Sequence, residues 1–127
     1  MAQILLVEDD TYMAATLRKA LERAGHSVVS AGDGREALAE MKRSKVDLVV
    51  ADICMPNVDG IELIIEIRRA DQVTKIMAIS GEIGWAPGGY LRAAGAVGAD
   101  NTLKKPFSTT VFIDAVGTLL AATRRSS

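Results

Sequence analysis

Short, continuous apolar runs alternate along this chain with longer segments in which apolar residues recur every three or four positions. The first run, Ile4 to Val7, precedes a segment from Thr11 to Ala24. There Met13, Leu17, Ala20, Leu21 and Ala24 fall at helical spacing, with Asp10 placed to cap the helix and Gly25 to stop it. His26 to Ala31 predicts a second strand. Asp33-Gly34 opens a second helix with Ala37, Leu38 and Met41 turned inward, ended by Lys45. Val46 to Ala51 is nearly all apolar, as a central parallel strand covered on both faces requires. A third helix follows from Gly60 to Ala70, with Ile61, Leu63, Ile64 and Ile67 on its inner stripe, and Lys75 to Ser80 forms a fourth strand. Gly81 to Gly89 reads as a glycine-rich mobile loop. The short helix expected from Pro87 to Ala96 starts only weakly through two glycines. Ala99 to Leu103 predicts a fifth strand, and Ser108 or Thr109 caps a last helix through Ala122, before a polar tail at 123–127.

Five strands alternating with five helices predict an α/β fold, an open, doubly wound five-stranded parallel sheet with helices on both faces. In such sheets a ligand crevice lies outside the carboxyl ends of the strands, where strand order reverses. The polar residues of interest gather at those ends: Glu8-Asp9-Asp10 after the first strand, Asp52 after the third, Ser80 closing the fourth and Lys104-Lys105-Pro106 after the fifth.

The 127 residues suit one domain spanning 1–127, and a net charge of −1 supplies no field that would attract nucleic acid or an anionic membrane. The single cysteine, Cys54, excludes an internal disulfide, and the amino terminus lacks the pattern of a secretory signal, so a cytoplasmic location is expected. Apolar runs end well short of the ~20 residues that cross a bilayer.

If the first and third strands are neighbours, Glu8, Asp9 and Asp52 converge, and three carboxylates in contact cannot all stay ionised without a cation. All-oxygen ligation suits Mg²⁺, whereas one histidine, His26, and one cysteine offer no soft-metal set. Lys105 places an ammonium, and Ser80 a hydroxyl, beside Asp52. Metal, ammonium and hydroxyl together cradle a phosphoryl group, with Asp52 as nucleophile and Glu8 and Asp9 as metal ligands, directly or through water. Plainer roles suffice for the remaining residues. Asp10 is a helix cap, His26 a strand-edge residue, Cys54 a structural thiol, Asp59-Gly60 a turn, and Lys104 and Arg124-Arg125 solvated cations.

Leu5-Leu6-Val7-Glu8-Asp9, Asp52-Ile53-Cys54-Met55-Pro56 with Asp59-Gly60, Ser80, and Lys105-Pro106-Phe107 together resemble the receiver domain of two-component response regulators, over essentially the whole chain. The resemblance implies a flavodoxin-like (βα)5 fold and a histidine kinase or phosphotransfer protein that donates a phosphoryl group to Asp52. It also implies Mg²⁺ held by Asp9, Asp52 and the Cys54 backbone carbonyl with Glu8 acting through water, and a cis Lys105-Pro106 bond. Such a domain catalyses only its own phosphorylation and dephosphorylation. It signals through a downstream protein target or a fused output domain, by way of a surface formed by the fourth helix, fifth strand and fifth helix. A homodimer is compatible with it. Nothing supports DNA binding by this domain alone.

One departure bears on signalling. Receivers usually carry an aromatic residue three positions before the lysine, and here that position is Thr102. The signal is therefore expected to leave through the loop from Gly81 to Gly89, with Ser80 drawn toward the phosphate and Trp85 or Tyr90 repacking. Cys54 and Glu82 occupy positions that in the family influence how fast water removes the phosphate. Rival functions fit less well. A flavin or nucleotide binder would meet Glu8-Asp9-Asp10 where it needs a phosphate loop. A small Mg²⁺-dependent aspartyl-phosphate phosphatase needs a second acid where Cys54 stands. A pure interaction module has no use for the complete set of acids, hydroxyl and lysine.

Overall fold

A computed structural model describes residues 2–53, 60–81 and 94–125 of the chain. Its elements, in order, are β1 (Gln3–Val7), α1 (Thr11–Arg23), β2 (Ser27–Ala31), α2 (Gly34–Arg43), β3 (Leu48–Asp52), α3 (Gly60–Ala70), β4 (Lys75–Ser80), β5 (Asn101–Lys104) and α4 (Thr109–Arg125). The strands form one parallel sheet in the order β2-β1-β3-β4-β5. The chain steps outward from β1 to β2 and then back to β3, so the reversal of strand order lies between β1 and β3.

Alternation along the strands sends side chains to two separate cores. Leu5, Val7, Val49 and Ala51 pack on one face with Ala37 of α2 and Leu63, Ile64 and Ile67 of α3. Ile4, Leu6, Leu48 and Val50 pack on the other with Leu17 and Leu21 of α1 and Phe112 and Val116 of α4. Each of the large side chains buried in these layers is worth about 1.5–3 kcal/mol of transfer free energy. Gly60 joins one layer to the candidate site: a Cβ there would stand 2.8 Å from the Ile53 Cβ, so only glycine lets α3 approach the chain just beyond β3.

The helix ends follow from local chemistry. Asp10 Oδ1 accepts from the amides of Tyr12 at 2.9 Å and Met13 at 3.1 Å, which confirms the expected cap. At the other end of α1, Gly25 has φ +97°, its amide bonds to Glu22 O, and the His26 amide reaches back to Leu21 O. This reverse turn uses the left-handed conformation that glycine adopts freely. Asp33 caps α2 through the Glu36 amide, and Ser108 Oγ accepts from the Val111 amide at the start of α4.

Several expected boundaries move by a few residues. Ala24 is the exposed C-cap of α1 and not part of its inner stripe, and α2 ends at Arg43 with Ser44 as cap, before Lys45. β2 starts at Ser27 because the His26 amide closes the preceding turn. β3 runs from Leu48 to Asp52 because Asp47 is held at the sheet entrance, its amide on Gln3 O and its carboxylate on the Gln3 amide. β5 starts at Asn101, since Ala99 bonds back to Ala94 O across the turn at Gly98. α4 continues past Ala122 to Arg125. The expected helix from Pro87 to Ala96 lies largely outside the described residues, which show a helical turn at 94–97.

Candidate functional site

Register brings the site together. Val7 of β1 lies opposite Ala51 of β3, so Glu8 and Asp52, each one residue further on, emerge side by side at the carboxyl edge. Ser80 closes β4 beside β3, and the Lys105 amide bonds to Ser80 O at 2.9 Å, which extends the β4–β5 ladder into the site. Glu8, Asp52 and Ser80 are buried, whereas Asp9 is exposed at the mouth. The Lys105-Pro106 bond is cis, as the resemblance implied.

The Lys105 ammonium donates to Asp52 Oδ2 at 3.1 Å and to Glu8 Oε1 at 3.3 Å. Glu8 Oε2 also accepts the Asp10 amide at 3.3 Å. Burial raises the Glu8 carboxyl, a hydrogen bond shared with Asp52 and the Asp52 charge raise it further, and the pull of Lys105 and the Asp10 amide leaves it at about 7. Burial lowers the Lys105 ammonium, but the Asp52 and Glu8 charges outweigh it and hold the group above its ordinary range. Two buried acids therefore share one ammonium, and near neutrality the remaining imbalance is met by a proton on Glu8.

A cation can replace that proton. Glu8, Asp9 and Asp52 each offer a carboxylate oxygen, and these oxygens lie within 4.8 Å of one another. Hard oxygen donors, two of them buried, suit a divalent ion such as Mg²⁺, and such an ion would be the missing counter-charge. Ser80 Oγ donates to Gly81 O at 2.9 Å at the same edge.

The structure thus brings together Glu8, Asp9, Asp52, Ser80 and Lys105. Cys54, whose carbonyl the resemblance adds, lies outside the described residues, as do Glu82, Trp85 and Tyr90 of the proposed signalling loop. Lys104 is exposed, and His26 Nδ1 accepts the Ala2 amide at 3.3 Å, consistent with the strand-edge role. The Asp10 amide is a contributor that sequence reasoning missed, because an N-cap signal says nothing of the backbone donor beside it.

The family model for the response regulator receiver domain matches residues 4–117. The chain belongs to this family. The receiver domain is 34% identical over 107 residues to the alkaline phosphatase synthesis transcriptional regulatory protein PhoP of Bacillus subtilis, covering 84% of this chain and 43% of that protein. It is 33% identical over 123 residues to response regulator MprA of Mycobacterium leprae, covering 96% and 52%. The receiver domain thus spans about half the length or less of these curated relatives. Among solved structures, the chemotaxis protein CheY4 of Vibrio cholerae superposes with a TM-score of 0.84 at 28% identity, covering 94% of this chain and 98% of that one. A CheY-like receiver domain protein of Methanospirillum hungatei gives 0.91 at 24% identity over 100% and 99%, a likeness of fold. No helix among the described residues is long and apolar enough to cross a membrane.

Proposed function

We propose that this chain, as a single receiver domain over 1–127, takes a phosphoryl group from a histidine kinase or histidine phosphotransfer protein onto Asp52 and passes the signal on by a change of conformation. An Asp52 oxygen forms a bond to phosphorus while the phosphorus–nitrogen bond of the donor phosphohistidine breaks. The electron pair stays on the imidazole nitrogen. The observation that carries this reading is the Lys105 ammonium bridging Asp52 and Glu8 at 3.1 and 3.3 Å, beside a three-carboxylate cluster at the strand-order reversal.

Mg²⁺ would be held by Asp9, Asp52 and the Cys54 carbonyl, with Glu8 through water. When bound it supplies positive charge to the phosphoryl oxygens, the main catalytic need of this reaction. Lys105 exchanges part of its bond to Asp52 for a phosphoryl oxygen, and the Ser80 hydroxyl donates to another. Receiver relatives described as transcriptional regulators support an output through an attached domain or a bound target protein. Incubating the protein with Mg²⁺ and a small phosphodonor tests the proposal. One phosphoryl group should appear by intact mass in wild type and none in Asp52→Asn, and a folded wild type that gains nothing contradicts it.

A further inference from the structure

On the face of the sheet opposite α1 and α4, a groove of about 490 Å³ runs between α2 and α3. Its floor is Leu38 and the buried Leu63. Arg35 and Lys42 of α2 line one wall, and Glu62 and Glu66 of α3 line the other. Arg35, Lys42 and Glu62 make no ion pair among the described residues, and Glu66 holds only the exposed Arg69 of its own helix at 3.0 Å, a pair of small worth. One wall is thus cationic, the other anionic, and the floor between them apolar.

We infer that this groove is a self-association face, and that its occupant is the same groove of a second copy of this chain. The symmetry follows from the charges. In a two-fold dimer each residue meets the partner's version of its own contact. A two-fold axis running along the groove lays the α2 wall of one copy over the α3 wall of the other, so cations meet carboxylates on both sides. An axis running across the groove would stack like walls and is excluded. Both helices return from the carboxyl edge of a parallel sheet and so run the same way. The chosen axis keeps residues at their own level, which sets Arg35 and Glu62, both in a first turn, opposite each other, and leaves Lys42 nearest Glu66. The apolar floors then face each other across the joined grooves, Leu38 of each copy toward the partner's α3 side.

Helix α2 is only about 15 Å long at ~1.5 Å per residue, so the contact belongs to the small, weak class below ~1,200 Å², and salt weakens it further. The dimer is therefore expected to be weak and to need millimolar protein at low ionic strength to be seen.

Sedimentation of unphosphorylated protein without Mg²⁺ tests this separately from phosphoryl transfer. Wild type should self-associate, and added salt should reverse it. Arg35→Glu with Lys42→Glu makes both walls acidic, and Glu62→Lys with Glu66→Lys makes both walls basic. Each double variant alone should lose at least about tenfold in self-affinity, while an equimolar mixture of the two should form a heterodimer about as readily as wild type forms its own dimer. Restoration by mixing also shows that both variants fold. A monomeric wild type at millimolar concentration, undiminished self-association of either double variant, or failure of the mixture to associate overturns the inference.

Discussion

The Lys105 ammonium lies 3.1 Å from the Asp52 carboxylate across a sequence separation of 53 residues, and the same ammonium reaches Glu8 at 3.3 Å. One cation serves two buried acids because three neighbouring parallel strands and the chain beyond a fourth all end at this edge.

Asp52→Asn should therefore stabilise the metal-free protein, by about 1 kcal/mol, since it leaves Glu8 and Lys105 as a matched pair and removes the carboxylate that helps to raise Glu8. Mg²⁺ should stabilise wild type by about 2.7 kcal/mol at a hundred times its dissociation constant, and much less in the variant. Denaturant melts with and without Mg²⁺ check both effects. A variant less stable than wild type in the absence of metal contradicts the charge argument.

Lys105→Met removes a donor aimed where charge accumulates on the phosphoryl group. About a hundredfold slower phosphorylation by a small donor is expected, in the range typical of losing one preorganised donor. The time course of phosphoprotein formation measures it, with circular dichroism as the control for folding. An unchanged rate would remove Lys105 from the chemistry.

Gly60→Ala would ordinarily favour a helix, yet here it should destabilise the protein by about 1–3 kcal/mol, because the new methyl meets Ile53, with the Ile53 Cβ at 2.8 Å. Ile53 adjoins Asp52, so the shift that relieves the clash should also slow phosphorylation. A stabilised variant would show that α3 does not sit this close.

Much of this architecture was legible in the sequence and part was not, for identifiable reasons. Glu8, Asp9, Asp52, Ser80 and Lys105 could be grouped because each ends or follows an apolar run, and in parallel sheets all such ends share an edge. That Glu8 stands beside Asp52 depended on the register of Val7 on Ala51, which side-chain type alone does not encode. Strand starts were less legible, because Val46 and Ala99 are apolar while their backbones are engaged outside the strand ladder: Val46 O accepts the distant Thr74 hydroxyl and the Ala99 amide bonds back to Ala94 O across a turn. The Arg68 guanidinium, which donates to Gly98 O, Thr74 O and Asp100, joins residues up to 32 apart and left no local pattern to read.

Asp71 gives the pH prediction. Burial raises its carboxyl, but hydrogen bonds from the Thr74 hydroxyl and amide and the Val73 amide, together with the Arg68 charge, outweigh that and leave it below the ordinary 3.8. A depressed folded-state value stabilises the protein fully above the unfolded value, and this contribution is lost as pH falls through the folded one. Asp71→Ala should cost about 1 kcal/mol at neutral pH after allowance for exposure, and the gap to wild type should close as pH drops below about 3.8. Urea melts across that range measure it, and a gap that widens in acid contradicts the assignment.

Direct location of the phosphoryl group bears hardest on the account. Borohydride reduces an aspartyl phosphate to homoserine, so the protein can be treated with Mg²⁺ and a small phosphodonor, reduced, digested and sequenced by mass spectrometry. Homoserine at position 52, absent without Mg²⁺ and absent in Asp9→Asn, is the predicted result. Reduction at another acid, or labelling of position 52 that is indifferent to Mg²⁺, would contradict it.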